Sequence, residues 1–490
     1  MSLPTDSPAL VASTSPVEGL PRRQLPLVPV FAQSVAAVAP SGAAAVIPAL
    51  VLATAGGAGA TVAFAAAAVV VLLVAACLRP MAQRMAAVGG IYTYTARGLG
   101  PLIAIPTGWS AIIGYACVGM AGLVAVGTYF SNIAVSAGLA GDIPTAAIIA
   151  VLIGASIIAA AIMIRGIRVS AWITLLIECV SIALLCMLLV LIVVGVSRGG
   201  APAAAVMDWK GGPQSFAVSI VVAVSAFVGF ESSTTLSAEA RQPFRSVPLT
   251  IRWTPVVAGV LYMIAVTVLA VALADAPSST RTSSTPMVAL ITAQHAAFLS
   301  VTLDLAIAAS FFACTVASVN ALVRVVFCMG REGVAPRALG NAHSRFQTPA
   351  AAIVAAMAII TVAPIAVLLA GTAPDSAMRI FLALGACGYL GSYLTGCIAA
   401  PVLLHRIGES TTAAVVLSVT TTVILSALFG NAIYFAVRDG AGLLGIYGAL
   451  ISIGLLYTIG LKIFAPQRVN AVGIYDETQR ADLLNSVPFR

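Results

Sequence analysis

Charged side chains are scarce in this sequence. Among 490 residues there are 24 Lys and Arg and 16 Asp and Glu, which makes the chain 8 % charged and 61 % hydrophobic. A water-soluble domain carries about 25 % charged residues to cover its surface. This chain cannot, and it reads as an all-α integral membrane protein. Lysine is rarer still: the two present, Lys210 and Lys462, do not follow a Gly, so a G-x-x-x-x-G-K-[ST] phosphate loop is excluded. The three histidines (His295, His343, His405) lie far apart and no H-E-x-x-H occurs, which removes that zinc chemistry; no metal site is expected. The eight cysteines all fall inside apolar runs and read as small core residues, without an extracellular pairing pattern. Met1 to Gln24 has no apolar stretch of its own, so no signal peptide is expected.

What is abundant is long apolar sequence. A bilayer core of about 30 Å takes about 20 apolar residues per helix. Twelve runs meet that length, near 28–54, 60–78, 101–136, 144–164, 170–197, 214–237, 249–274, 298–328, 349–371, 377–404, 413–436 and 443–464. Only a Gly-rich turn, Ala55 to Gly59, divides the first two. With the N-terminus inside, 19 of the basic residues fall on cytoplasmic segments and 5 on the outer loops. That asymmetry satisfies the positive-inside rule and puts both ends in the cytoplasm. It also disposes of a nucleic-acid partner, which the formal charge of +8 would otherwise suggest, because the surplus lies along one membrane face.

Two spans carry polar or helix-breaking residues at mid-depth. Span 1 reads Ala39-Pro40-Ser41-Gly42-Ala43 and span 6 reads Gly229-Phe230-Glu231-Ser232-Ser233. Proline removes a donor from the helix ladder and glycine permits non-helical dihedrals. Interrupted backbone survives in a membrane only where protein or a water-filled cavity satisfies it. Spans 1 and 6 are the corresponding members of two five-helix halves, and such paired interruptions point to a transporter built from inverted repeats. Each break would leave N–H groups at a half-helix N-terminus, suited to a carboxylate, and carbonyls suited to an ammonium group or a cation. The plain alternative, a structural proline kink, accounts for one break but not for the pair.

Three motifs then resemble the amino acid–polyamine–organocation superfamily of transporters. Gly89-Gly90-Ile91-Tyr92-Thr93-Tyr94 with Gly98-Leu99-Gly100-Pro101 and Gly108-Trp109 is similar to that family's entry into helix 3. Gly229-Phe230-Glu231, followed by Glu239-Ala240-Arg241-Gln242-Pro243 and Pro248, is similar to its broken helix 6. Arg331-Glu332-Gly333-Val334-Ala335-Pro336-Arg337 is similar to its loop after helix 8. The resemblance implies a LeuT-type fold: a 5+5 inverted repeat of helices 1–10 with helices 1 and 6 broken, then two C-terminal helices. It implies a substrate carboxylate on the amides of Ser41, Gly42 and Ala43, and an ammonium group near the carbonyls of Phe227, Val228, Gly229 and Phe230. Two departures stand out. Ala43 occupies the place of a glycine common in relatives, and Ser225 the place of a gating tryptophan found in some, leaving Phe230 as the candidate occluding aromatic.

Three acidic residues lie inside predicted spans, Glu178, Glu231 and Asp304, with no Lys or Arg at comparable depth. A lone ionised carboxylate in hydrocarbon costs several kcal/mol, so each must be protonated, line water or hold a cation. Glu231, in the break itself, is the leading proton-coupling candidate; Glu178 is the second. Asp304, close to the outer face, reads as solvated. Sodium is the competing coupling ion, with Ser310, Thr315 and Ser318 as hydroxyl donors where span 1 meets span 8. Ile112, Ala116 and Tyr389 are candidate pocket walls.

The domain reading follows: 1–27 a disordered cytoplasmic tail, 28–197 the first repeat, 214–404 the second, 413–464 two further helices, and 465–490 a cytoplasmic tail. The expected function is secondary-active import of neutral or cationic amino acids by alternating access, coupled to protons and without a cofactor. The alternatives are an amino acid or amine exchanger and a polyamine transporter. A non-transporting receptor is disfavoured by tails too short for an output domain, and an intramembrane enzyme by the lack of a base beside a membrane serine. The Arg-over-Lys and Ala-heavy usage points to a bacterial inner membrane. Substrate identity and oligomeric state are not encoded in these patterns.

Overall fold

The computed structural model describes residues 20–136, 141, 143–199, 207–274, 276–277, 280, 286–293, 297–438 and 442–473. Most of the two expected tails, residues 1–19 and 474–490, lies outside the described residues, as does His295. Among the described residues the regular structure is helical, apart from an isolated bridge between Leu25 and Ala240. In order the helices are α1 Leu27–Val38, α2 Pro40–Ala82, α3 Ile91–Leu99, α4 Pro101–Ser136, α5 Thr145–Ile164, α6 Ile167–Gly199, α7 Pro213–Ser225 and α8 Pro243–Ala274. They continue as α9 Pro286–Ala293, α10 Ala297–Arg331, α11 Ala350–Leu369, α12 Pro374–Arg406, α13 Thr412–Arg438, α14 Leu443–Phe464 and the short α15 Pro466–Asn470.

Among the described residues, ten helical stretches are long and apolar enough to cross a membrane. The difference from the twelve expected runs has two local causes. The stretch 27–82 holds the first two runs in one helical path, and the run near 214–237 is helical only as far as Ser225. The expected turn at Ala55–Gly59 is instead a kink inside α2, at Gly56 with φ +73. Residues 208–210 explain why the helix survives there. Lys210 N–H donates to Ala55 O and Ala58 N–H donates to Asp208 O, each at 2.9 Å, so the groups freed by the kink are satisfied by a neighbouring segment.

Helices α4 and α10 are buried along most of their length, whereas α13 and α14 present most of theirs outward. The most extensive packing is of α4 against α10 and α12, and of α2 against α7 and α8. Small residues let backbones approach closely: a Cβ on Gly388 of α12 would lie 2.5 Å from Gly114 N of α4. The cysteines correct one expectation. Cys77, Cys117, Cys314, Cys328 and Cys397 are buried, but Cys179 and Cys186 of α6 are exposed, on a helix whose outer stripe is apolar and needs no core partner.

Gly56→Ala forces a side chain into the left-handed region and places its Cβ 2.7 Å from Asp208 O. It is expected to destabilise by about 2 kcal/mol. Gly154→Ala, where nothing lies within 4 Å, is expected to be neutral. Thermal unfolding of the two purified variants in detergent compares them, and equal midpoints would contradict the kink assignment.

Candidate functional site

The first break is one residue long. α1 ends at Val38, Ala39 sits in the left-handed region (φ 49, ψ 57), and Pro40 opens α2. Proline is tolerated there because the first helical N–H has no intrahelical acceptor. Ser41, Gly42 and Ala43 therefore form the first turn of α2, at the half-helix N-terminus that the sequence suggested. The polar backbone around the break finds partners on α10 and on the second break. Ala37 O accepts from Cys314 Sγ at 3.2 Å, and Gln33 O accepts from Ser232 Oγ at 3.3 Å. Gln33 Nε2 donates to Ala317 O at 2.7 Å.

The second break is longer. α7 stops at Ser225, residues 226–231 run as turns, and Ser232–Leu236 form a 3₁₀ helix. Gly229 has φ +93, and a Cβ on it would lie 3.1 Å from both Cβ and O of Ala37. Only glycine meets both demands. The two breaks thus touch, and Ser233 N–H joins them again by donating to Ser34 Oγ at 3.1 Å. Phe227, Val228 and Phe230 are all buried. Phe227 stands edge-on to Tyr262 at 4.9 Å, and Phe230 packs on Tyr393 at 5.5 Å. Tyr262 Oη donates to Ala226 O at 2.7 Å.

Each break is tied to a buried glutamate through a hydroxyl. At the first, Gly42 N–H donates to Ser310 Oγ at 3.2 Å, and Ser310 Oγ donates to Glu178 Oε1 at 2.9 Å. Ser41 Oγ donates to the other oxygen of Glu178 at 3.4 Å. At the second, Gly229 N–H donates to Tyr393 Oη at 3.2 Å, and Tyr393 Oη donates to Glu231 Oε2. Tyr115 Oη donates to Glu231 Oε1 at 2.9 Å. The same relay, glycine amide to hydroxyl to carboxylate, is therefore built twice, with α10 supplying the hydroxyl at one break and α12 at the other.

The remaining candidates divide. Tyr389 belongs to this cluster: it stands edge-on to Tyr115 at 5.2 Å and packs beside Tyr393 at 5.7 Å. Its hydroxyl is buried, faces Ser318, and has no partner at hydrogen-bond distance. Ile112 and Ala116 point elsewhere. They line an apolar cavity of about 620 Å³ with Trp109, Val326, Ile360 and Tyr457, to which neither break contributes a residue. Asp304, expected to be solvated, is fully buried, because it lies on the inward side of α10 with Leu303 and Ile307 while Phe298 and Leu305 face outward. The three hydroxyls considered for sodium have separate neighbours. Ser310 serves Glu178, Thr315 Oγ1 donates to Phe311 O at 3.0 Å and to Gly119 O of α4 at 3.3 Å, and Ser318 Oγ lies 3.9 Å from Cys314 Sγ. The sequence reading missed Phe311. Its ring would lie 3.0 Å from a Cβ on Gly42 and stacks on Tyr129 at 6.5 Å. The available signal was its place next to Ser310 in span 8.

The end of the bundle that the charge count assigns to the cytoplasm is closed by the three motifs together. Arg324 holds Glu239 through two contacts, 2.7 and 3.3 Å, with both side chains buried. Tyr92 Oη donates to Glu332, whose other oxygen accepts from Gly473 N–H at 2.7 Å. Gly90 packs on Thr234, where a Cβ would lie 2.6 Å from Oγ1. Residues 20–26 of the expected disordered tail are in fact docked here. Leu20 and Leu25 are buried, Gln24 N–H donates to Glu239 O at 2.9 Å, and Arg241 N–H donates to Leu25 O at 2.7 Å. The reason is an exposed backbone edge at Ala238–Arg241, which the segment pairs. In the other tail, Val469 and Val472 are buried against the same end.

Comparison with known proteins gives two findings. The family model described as amino acid permease matches residues 27–443. The low-affinity putrescine importer PlaP of Escherichia coli strain K12 is 25 % identical over 290 residues, 58 % of this chain and 62 % of the relative. The same protein from Escherichia coli O157:H7 gives the same match. The chain thus spans less than two thirds of the length of these curated relatives.

Tyr393→Phe leaves Gly229 N–H and one oxygen of Glu231 without their shared partner, and a buried group left unsatisfied costs about 1–3 kcal/mol. The variant is expected to unfold at a clearly lower temperature than Tyr389→Phe, which removes a hydroxyl that has no hydrogen-bond partner. Equal losses in a detergent melting assay would show that the relay at the second break carries no stability.

Proposed function

The chain belongs to the amino acid permease family, and from that premise we propose that it is a secondary-active permease for amino acids or amines, working by alternating access. The observation that carries this is the meeting of two breaks, each with a glycine amide and a buried carboxylate. In a bilayer such backbone is maintained only where it serves a protein-lined site. The substrate sits between Ser41, Gly42 and Ala43 on one side and Phe227, Val228, Gly229 and Phe230 on the other. Around it, helices 1–5 (28–197) and 6–10 (214–404) form two inverted repeats, with 413–464 as two added helices. The setting is a bacterial inner membrane. The name of the relatives, a putrescine importer, supports an amine or amino acid as the molecule carried and import as the direction.

Protons are the coupling ion that the geometry favours. In the arrangement described, Glu231 accepts a hydrogen bond on each oxygen, from Tyr115 and from Tyr393. A proton on either oxygen makes it a donor and a weaker acceptor, so the bond from the tyrosine on that side weakens or reverses. Tyr393 also receives the Gly229 amide, and the change is therefore passed to the backbone of the second break. Loading a proton and reshaping the site become one event. Sodium is less well served, since the hydroxyls of Ser310 and Thr315 are committed to separate partners. A substrate exchanger is the second reading, because a site so formed serves either cycle.

Uptake of labelled amino acids and amines into proteoliposomes, with and without an inward proton gradient and without sodium, tests the proposal. Accumulation only under the gradient is expected, and accumulation only into vesicles preloaded with unlabelled substrate would favour exchange. Glu231→Gln is expected to reduce gradient-driven uptake to background while equilibrium binding changes by less than about tenfold. Uptake equal to wild type would remove Glu231 from the coupling. Gly42→Val, whose side chain collides with the Phe311 ring 3.0 Å away, is expected to abolish binding. Persistent binding would place the site elsewhere.

A further inference from the structure

We propose that the apolar cavity between α4, α10, α11 and α14 is a binding site for an anionic membrane glycerophospholipid, with one acyl chain in the cavity and the phosphate held by Arg337 and Arg468. Neither break contributes a residue to this cavity, so the inference stands apart from the placement of the substrate.

Helices α11 and α14 both pack on α4 but not extensively on one another, and the gap they leave is floored by α4 and α10. Its deep wall is buried, at Met120, Leu322 and Ile360, whereas Ile359, Ile453 and Tyr457 on its rim are 63, 55 and 47 % exposed. Those rim residues sit beside outward apolar side chains, Val354 and Val362 on α11 and Leu456 and Ile459 on α14. The opening therefore faces hydrocarbon, and the molecule at its mouth is lipid. The cavity measures about 620 Å³. Its lining follows α4 from Ile105 to Met120, about 22 Å of helix axis, against about 15 Å of hydrocarbon in one leaflet. That length accepts a whole acyl chain, and the chain supplies the dispersion contacts that the wall otherwise forgoes.

The same lining turns away a polar solute. The two side chains in it that carry N–H or O–H groups are committed to backbone: Trp109 Nε1 donates to Leu450 O at 2.8 Å, and Tyr457 Oη donates to Val334 O. An amino acid or amine entering here would lose its water without replacement, whereas a methylene chain has none to lose.

The headgroup end is basic. The cavity reaches the loop after α10, where Val334, Ala335 and Pro336 line it, at the end of the bundle that the charge count assigns to the cytoplasm. Arg337 follows at once and is exposed. The stem of Arg468 lies against the same loop, with Cγ and Cδ 3.7 Å from where a Cβ on Gly333 would stand, and Arg468 is exposed too. Among the described residues neither arginine forms an ion pair. The acidic member of the loop, Glu332, is buried and engaged by Tyr92 and by Gly473 N–H. Two free guanidinium groups above an acyl-chain slot match the phosphate and the negative charge of an anionic lipid.

The probe is phosphatidylglycerol with a photoreactive diazirine on one acyl chain, reconstituted with the full-length protein in vesicles and located by peptide mass after irradiation. Labelling is expected on α4 between Trp109 and Met120 and on α14 between Leu450 and Tyr457. Excess unlabelled phosphatidylglycerol is expected to suppress it, and glycerol 3-phosphate is not. Phosphatidylcholine is expected to compete about tenfold less well, and Arg337→Gln combined with Arg468→Gln to bring the two lipids within about twofold. Ala355→Phe, at an exposed lining position, is expected to cut the labelling of α4 about tenfold while the thermal midpoint stays unchanged. Labelling spread evenly over the outer faces of the bundle, or undiminished in Ala355→Phe, would mean annular lipid only and overturn the proposal. A dimer that Ala355→Phe dissociates and phosphatidylglycerol leaves intact would overturn it in favour of a second copy on this face. Equal competition by the two lipids in wild type would overturn the anionic headgroup.

Discussion

A backbone amide freed from its helix inside a bilayer has to find an acceptor within the protein, and this molecule is organised around meeting that demand twice. Ala39 and Pro40 make the first break and Gly229 makes the second, but either alone would leave a costly orphan donor. The answer in both places is a hydroxyl from a neighbouring helix that receives the amide and passes a hydrogen bond on to a buried glutamate. Ser310 and Glu178 serve Gly42; Tyr393 and Glu231 serve Gly229. The helices that supply these groups, α6, α10 and α12, must therefore pack around α1, α2 and the 226–236 segment, whatever else they do.

The same demand explains features far from the breaks. Kinking α2 at Gly56 frees Ala55 O and Ala58 N–H, and residues 208–210 are drawn in to satisfy them. At the end assigned to the cytoplasm, the backbone edge after the 3₁₀ turn recruits residues 23–25, and the Glu239–Arg324 pair locks beneath it. Removing one partner of such a buried pair costs about 3–5 kcal/mol.

Much of this was legible in the sequence because lipid is an unforgiving solvent. The run boundaries at 145–164, 350–369 and 443–464 fall within a residue or two of the expected ones, since a bilayer sets helix length by hydropathy alone. The breaks were legible because Pro40, Gly42 and Gly229 stand out in otherwise apolar helices, and Glu231 because a carboxylate there needs a reason. What hydropathy does not encode is which way a residue faces. Ile112 and Ala116 lie on the same helix as Tyr115, yet they line an apolar cavity while Tyr115 reaches Glu231. The relay from Ser310 to Glu178 joins residues more than a hundred positions apart in the chain. The docking of residues 20–26 was hidden for the same reason: polar, proline-rich sequence carries no mark of the edge it pairs with.

The central claim is that the substrate lies between the two breaks, in contact with the first turn of α2 and the 226–231 segment. The most direct measurement is a density map of the protein with a bound substrate, collected under conditions that saturate the site. Density for the ligand between Gly42 and Gly229, within reach of Glu231 and the tyrosines around it, is the result expected. Ligand density confined to the apolar cavity bordered by Trp109, Ile112 and Ala116, with the region between the breaks packed as it is here, would contradict the account.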